Sequence, residues 1–146
     1  WAPMAADPAL GLVYLPVETP SSDFYGGHRP GNNLFSQSLV CLDTRTGKKV
    51  WHYQLIHHDI WDWDLMTGPT LFDVTVKGKT VKAVGSLAKT CYAYMLDRRT
   101  GQPVFPIVEM PVPTTTCPTA RSVTSPTTSV PLGSCVPEEA SQPLAR

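Results

Sequence analysis

The residues most able to do chemistry are concentrated in one short segment, residues 57–64, which reads HHDIWDWD. It holds two imidazoles, three carboxylates and two indoles, without the alternation of polar and apolar residues that is typical of a strand. Such groups can transfer protons or bind a cation such as zinc, but they also build hydrogen-bonded structural loops. The spacing matches no common zinc signature. From the residues alone, a structural loop, an acid–base site and a metal site all stay open.

The elements that must position this segment are predicted to be strands. Helical periodicity is hard to find, whereas short β-branched and aromatic runs separated by Gly, Pro, Asn and Asp recur, so we predict an all-β fold. A long Gly/Pro-rich loop is expected over residues 19–33. The predicted strands cover residues 12–16, 38–42, 49–55, 69–76, 81–86, 91–96 and 102–107. The last six should form three hairpins, the second of them turning at Lys77-Gly78-Lys79.

The first and third hairpins are copies of one motif. CLDTRTGKKVW at residues 41–51 matches MLDRRTGQPVF at residues 95–105 at Leu, Asp, Thr, Gly and Val, with an aromatic residue closing both. The Asp can cap the turn, the Gly can adopt a positive φ, and the closing aromatic can pack on a neighbouring sheet. A repeat of 54 residues with about four strands is typical of a β-propeller blade. Two such repeats cannot close a propeller, so we expect a piece of a longer protein that begins upstream of Trp1.

Composition divides the chain into two parts. All aromatic residues precede residue 106, whereas 19 of the 36 residues in 111–146 are Pro, Ser or Thr. Such a stretch buries too little apolar surface to offset its chain entropy. We therefore predict a partial propeller over residues 1–110 and a disordered tail over residues 111–146. The tail is either a natural linker or the product of out-of-frame translation.

Charge and cysteine usage exclude several function classes. The formal net charge is zero, with acids and bases interspersed, so nucleic acid is not an expected partner. No apolar run approaches the roughly 18 residues of a membrane span. The four cysteines form no CxxC pair, which favours free or structural thiols over a zinc ribbon or a thioredoxin-type site.

Several ordered motifs resemble the quinoprotein dehydrogenases, with the membrane-bound glucose dehydrogenases as the nearest branch. They are LVYLP at residues 12–16, YGGHRPGNN at 25–33, WHYQ at 51–54, HHDIWDWD at 57–64, AKT at 88–90, LDRRTG at 96–101 and PVP at 111–113. The resemblance implies an eight-bladed propeller, of which this chain would supply two to three blades. It also identifies the repeat as the blade-docking motif, with Phe105 in place of the second tryptophan.

The resemblance also implies a reaction. Quinoprotein dehydrogenases use pyrroloquinoline quinone (PQQ) and Ca²⁺ to oxidise a sugar or an alcohol, and pass the electrons to a quinone or a cytochrome. Their catalytic base, the aspartate of a Trp-Asp pair, falls on Asp62, and their quinone-contacting basic residue falls on Lys89. In the alcohol-oxidising branch, an asparagine binds calcium near the position that Thr19 occupies here. Threonine cannot play that role equally well, which favours the glucose branch. The implied location is periplasmic, with an inner-membrane anchor allowed for the full-length protein through segments outside this chain.

Two other readings compete with this one. A noncatalytic propeller scaffold that binds other proteins would need the docking repeats but not an acidic Trp-Asp segment or a lysine at Lys89. A metal-dependent hydrolase would use His57, His58 and Asp62 around one cation, without a quinone. For the dehydrogenase reading, we expect the fragment to be inactive alone, because the other calcium ligands and most of the substrate pocket would belong to other blades.

Overall fold

The computed structural model describes residues 2–111 and 127–131, and all regular structure in these ranges is β-strand. The strands are β1 (Ala5–Asp7), β2 (Leu12–Val17), β3 (Ser38–Asp43), β4 (Lys49–Gln54), β5 (Thr70–Val76), β6 (Lys79–Leu87), β7 (Ala93–Asp97), β8 (Ile107–Pro111) and β9 (Thr127–Pro131). The predicted all-β class is confirmed. Within the described ranges, no helix is long and apolar enough to cross a membrane.

The strands form antiparallel meanders, as expected for propeller blades. One sheet has the order β1-β2-β3-β4, a second has the order β5-β6-β7, and β8 pairs with β9. The predicted turn between β5 and β6 is a two-residue hairpin in which Val76 pairs with Lys79. Lys77 and Gly78 between them both have positive φ, 49° and 76°, which is the geometry of a type I′ turn.

The two copies of the repeat adopt the same turn. Asp43 Oδ1 accepts hydrogen bonds from the amides of Arg45 and Thr46, and Asp97 Oδ1 accepts one from the amide of Arg99. The glycines that follow, Gly47 and Gly101, have φ values of 67° and 73°. The sequence repeat is therefore a structural repeat, in which the Asp caps the turn and the Gly completes it.

The core lies between the two larger sheets. Tyr14, Leu39 and Trp51 contribute from the first sheet, and Val84, Tyr94 and Leu96 from the second. Trp51 also reaches across directly, because its Nε1–H donates to the Arg98 carbonyl at 3.2 Å. The closing aromatic of the first repeat thus packs on the turn of the second repeat, as predicted.

The third hairpin departs from the prediction. Residues 102–106 form no strand: Pro103 makes an isolated bridge with Leu96, and the next strand, β8, begins at Ile107. The Asp97 amide donates to the Gln102 carbonyl and the Val104 amide to the Met95 carbonyl on either side of this bridge, but Pro106 has no N–H group to continue the ladder along β7. The sequence analysis also missed β1, which has only three residues.

The prediction of a disordered tail over residues 111–146 falls largely outside the described residues and stays a prediction. The part that is described, Thr127–Pro131, pairs antiparallel with Ile107–Pro111. Two of the four cysteines, Cys117 and Cys135, also lie outside the described ranges. Of the other two, Cys41 is buried, Cys91 is exposed, and neither forms a disulfide.

Candidate functional site

Residues 57–64 link the two larger sheets, and both ends of the segment are anchored in the core. Leu55 and Ile56, directly after β4, are buried, and so is Leu65 at the other end. The Leu55 amide also donates to the Gln37 carbonyl at 2.7 Å. Because both ends are fixed by apolar packing, the polar side chains between them are held at the junction of the sheets.

Asp62 and Lys89, the two residues predicted to carry the site, lie in direct contact. Lys89 Nζ is 2.7 Å from Asp62 Oδ2 and also 2.7 Å from Asp64 Oδ2. Lys89 follows β6, and its amide donates to the Asp64 carbonyl at 2.9 Å. The chain therefore brings a lysine from the second sheet onto two carboxylates of the connecting segment, and we call these three residues the Asp62–Lys89–Asp64 cluster.

The cluster is partly open to solvent. The side chains of Asp62 and Lys89 are 33% and 30% exposed, whereas that of Asp64 is 8% exposed. Two of the three donors of the Lys89 ammonium are used by the carboxylates, and an ammonium group has a third donor. The cluster can therefore accept a ligand on its open side without first losing its internal hydrogen bonds.

Hydrogen bonds within the cluster favour the charged forms of Lys89 and Asp64. Hydrogen bonds to Asp62 and then to Asp64 raise the pKa of Lys89 above its usual range. Burial raises the pKa of Asp64, but hydrogen bonds from Lys89 and Thr19 outweigh it, so the net pKa is lowered. Lys89 is thus cationic and Asp64 anionic at neutral pH.

A third carboxylate lies beneath the cluster. Asp59 is fully buried and accepts hydrogen bonds from the Trp61 and Trp63 amides. Thr19 joins the two layers, since its amide donates to Asp64 Oδ1 at 2.9 Å and its hydroxyl donates to Asp59 Oδ2 at 2.7 Å. The sequence analysis gave Asp59 and Asp64 no separate role and did not place Thr19 beside them, because 45 residues separate Thr19 from Asp64.

The two histidines fix the segment instead of lining the cluster. His57 Nδ1 lies 2.8 Å from Gln54 Oε1 and its Nε2 lies 3.4 Å from Glu109 Oε1. His58 is buried, and its Nδ1 lies 2.7 Å from the Gly31 carbonyl, which anchors the long loop. The hydrolase reading required His57, His58 and Asp62 around one cation, and the structure directs all three to other partners.

The two tryptophans of the segment pack on each other. The Trp61 and Trp63 rings are stacked, with centroids 4.9 Å apart and planes inclined by 20°. Both side chains are half-buried. The pair offers an apolar surface next to Asp62, which lies between them in sequence.

The described residues fit the expected quinone better than the expected calcium ion. A cationic donor with a free N–H beside an open carboxylate suits a quinone with several oxygen atoms. No group of three or more His, Cys, Asp or Glu side chains that could hold a metal ion occurs in the described part of the chain. These residues therefore do not form a complete calcium site by themselves.

Known proteins match nearly the whole chain. The family model for the PQQ-type β-propeller domain of glucose, ethanol and alcohol dehydrogenases matches residues 1–145. Quinoprotein glucose dehydrogenase of Escherichia coli K12 is 46% identical over 77% of this chain and 14% of its own length. Quinoprotein glucose dehydrogenase A of Acinetobacter calcoaceticus is 44% identical over 79% of the chain and 15% of its own length.

Solved structures are similar as well. A europium-containing methanol dehydrogenase superposes with a TM-score of 0.66 at 33% identity, over 73% of this chain and 19% of its own. The chain thus spans about one seventh of the length of the curated relatives, 14% and 15%. The residues that the family model matches include the docking repeats and the segment that carries the cluster.

Proposed function

Because the chain belongs to the β-propeller family of PQQ-dependent glucose, ethanol and alcohol dehydrogenases, we propose that it forms part of the active site of such an enzyme. The full-length protein oxidises a CH–OH group of a small molecule, and this chain contributes Asp62 and Lys89. The observation that carries the proposal is the Asp62–Lys89–Asp64 cluster, in which Lys89 Nζ contacts both carboxylates at 2.7 Å. Asp62 and Asp64 lie between the two larger sheets and Lys89 lies between β6 and β7, so the cluster depends on the fold.

Asp62 acts as the general base. Oxidising an alcohol to a carbonyl removes one proton from the hydroxyl and one hydride, with two electrons, from the carbon. The Asp62 carboxylate accepts the proton, and a position that is one-third exposed lets a substrate hydroxyl reach it. PQQ, when bound, supplies a carbonyl carbon that accepts the hydride.

Lys89 orients and stabilises the quinone. Its ammonium uses two donors for the carboxylates and keeps one for a quinone oxygen. Because the neighbouring carboxylates keep Lys89 cationic, the residue can stabilise negative charge on that oxygen. The stacked Trp61 and Trp63 rings give the site an apolar wall that limits the access of water.

The full-length protein also binds a metal ion. We take this ion to be Ca²⁺, because the quinoprotein dehydrogenases that this chain resembles use PQQ together with Ca²⁺. A similar solved methanol dehydrogenase contains europium. The described residues lack a group of three acidic, His or Cys ligands. Most metal ligands therefore come from other parts of the full-length protein.

A sugar is the favoured substrate class. Both relatives described above are glucose dehydrogenases, at 46% and 44% identity. The electron acceptor is a quinone or a cytochrome, and the protein operates in the periplasm, with or without an anchor in the inner membrane. Nucleic acid is not a partner, consistent with the zero net charge.

The scaffold reading remains the alternative, because Trp51 and Gly101 would dock two blades in a scaffold too. A scaffold has no use for a cluster that places three charged side chains in a partly open site. The two readings differ in quinone binding and in turnover, which a single assay measures.

The test uses the full-length protein that contains this chain, loaded with PQQ and Ca²⁺. Reduction of a redox dye by glucose or another sugar should depend on added PQQ. Asp62→Asn should lower kcat by about 10²- to 10⁴-fold, because proton transfer by a positioned base contributes that much. Asp73→Asn, at a carboxylate that is 51% exposed on β5, should leave kcat unchanged. An unchanged kcat in Asp62→Asn would refute the proposed base, and a full-length protein that binds no quinone would favour the scaffold.

A further inference from the structure

The buried carboxylate beneath the cluster has no role in the chemistry proposed so far. Asp59 is fully buried, and its two oxygens accept four hydrogen bonds. We propose that Asp59 is a positioning residue that holds Asp62 in the conformation required of the base. This inference rests on the proposed function, because it assigns Asp59 a task only if Asp62 is the base.

The first argument is the placement of the bonds along the chain. Asp59 Oδ1 accepts from the Trp61 amide at 2.9 Å, and Oδ2 accepts from the Trp63 amide at 2.8 Å. These two amides belong to the residues immediately before and after Asp62. One carboxylate therefore fixes the backbone on both sides of the base and leaves the Asp62 side chain free to face Lys89.

The second argument is the backbone conformation of Asp62 itself. Its φ is 61°, in the left-handed region that costs free energy for residues other than glycine, although Asp and Asn tolerate it better than most. A strained backbone of this kind persists only where surrounding contacts enforce it. The paired bonds from Asp59 are contacts of that kind.

The third argument is that the surroundings of Asp59 require a charged acceptor. Gln37 Nε2 and the Thr19 hydroxyl both donate to Oδ2, each at 2.7 Å. Arg29 Nη2 donates to the Asp59 main-chain carbonyl at 2.6 Å. The four groups that contact the carboxylate, namely the Trp61 and Trp63 amides, Gln37 Nε2 and the Thr19 hydroxyl, are all donors. An amide side chain at position 59 would turn its own NH₂ toward one of them and lose at least one hydrogen bond.

The link to the cluster passes through Thr19. Its hydroxyl binds Asp59 and its amide binds Asp64 Oδ1, whose other oxygen holds Lys89. Asp59 thus constrains Asp62 through its hydrogen bonds to the Trp61 and Trp63 amides. It constrains Lys89 through the contacts of Thr19 and Asp64. A carboxylate in this place can set the geometry of both halves of the ion pair without touching a ligand.

The experiment compares Asp59→Asn with the unchanged full-length holoprotein. We expect kcat per bound PQQ to fall about 10- to 100-fold, since small displacements of a reacting group have effects of that size. The KM for the sugar and the number of PQQ molecules bound per protein, measured by absorbance, should change less than twofold. Gln37→Met removes one donor to Asp59 and should lower kcat in the same way but by less. This variant tests the inference if Asp59→Asn does not fold.

A matched control separates positioning from stability. Asp7 is also buried, accepts hydrogen bonds from the Ala9 and Leu10 amides, and lies outside the cluster. Asp7→Asn should lower the unfolding temperature while leaving kcat per bound PQQ unchanged. If Asp59 has only a structural role, Asp59→Asn will behave like Asp7→Asn, with fewer loaded molecules and normal turnover in each, and the inference is overturned. Failure of the proposed function would appear separately, as full activity in Asp62→Asn.

Discussion

Lys89 carries one positive charge between two carboxylates, and their different surroundings give the two aspartates different tasks. Asp64 is 8% exposed and also binds the Thr19 amide, so it is a fixed counterion that holds the lysine. Asp62 is 33% exposed and shares the same ammonium. The more accessible carboxylate is the one that can exchange a proton with a ligand, while the buried one keeps the cation in place.

Replacing the lysine tests its task. In Lys89→Met, the affinity of the full-length apoprotein for PQQ should fall about 10- to 100-fold, because a hydrogen bond to a charged group contributes about 1.5–3 kcal/mol. Fluorescence titration with PQQ measures the dissociation constant. Lys82→Met, at a lysine that is 47% exposed on β6, is the control and should bind PQQ normally. Equal affinities in the two variants would contradict a quinone contact for Lys89.

The pKa shifts of the cluster predict a dependence of stability on pH. The pKa of Asp64 is lowered in the folded state, so its contribution is present above the unfolded-state pKa of about 4 and is lost as the pH falls below it. The pKa of Lys89 is raised, so its contribution is present below about 10.4 and is lost as the pH rises further. Denaturant unfolding between pH 2.5 and 7 should therefore show a smaller acid-induced loss in Asp64→Asn than in the unchanged protein. Identical pH profiles would show that the cluster does not shift the pKa of Asp64.

At the scale of elements, the two larger sheets are joined by contacts to one turn. Tyr14 and Trp51 of the first sheet both donate to the Arg98 carbonyl, at 3.0 and 3.2 Å. The Arg98 guanidinium lies 2.9 Å from Asp7 of β1. These contacts join the first sheet to the turn that follows β7.

The repeated glycines provide a matched test of the docking. A Cβ at Gly101 would lie 2.7 Å from two ring atoms of Trp51, whereas a Cβ at Gly47, the equivalent position, would meet nothing within 4 Å. Both glycines have positive φ, so alanine at either site costs about 1–2 kcal/mol from the backbone. Gly101→Ala should cost about 1–3 kcal/mol more than Gly47→Ala, because it also overpacks the interface. Unfolding of the full-length protein in denaturant measures both, and equal losses would mean that Trp51 does not dock there.

The elements were largely predictable because local patterns determine them. Alternation and turn residues located six of the seven predicted strand regions, and the match between residues 41–51 and 95–105 predicted the shared turn. The prediction for the seventh region, 102–107, failed because Pro106 has no N–H group to continue the ladder beyond Val104, although the repeat pattern continues. A pattern of side-chain types does not show the loss of an amide proton.

At the scale of the whole molecule, the site that we propose extends beyond this chain. It spans 14% and 15% of two quinoprotein glucose dehydrogenases, and its described residues form no complete metal site. Family resemblance, together with the Trp-Asp pair, was enough to single out Asp62 and Lys89. The contacts of Thr19 and Gln37 with Asp59 could not be predicted in that way, because these residues lie 40 and 22 residues from Asp59 along the chain and meet it only in the folded chain.

The most direct test of the account is a crystal structure of the full-length protein with PQQ bound. We predict that Lys89 Nζ lies within about 3 Å of a quinone oxygen and that the Asp62 carboxylate faces the quinone from the same side. Asp64 should still contact Lys89. A quinone bound far from this cluster, or an Asp62 side chain turned away from the propeller's central axis, would contradict the proposed active site.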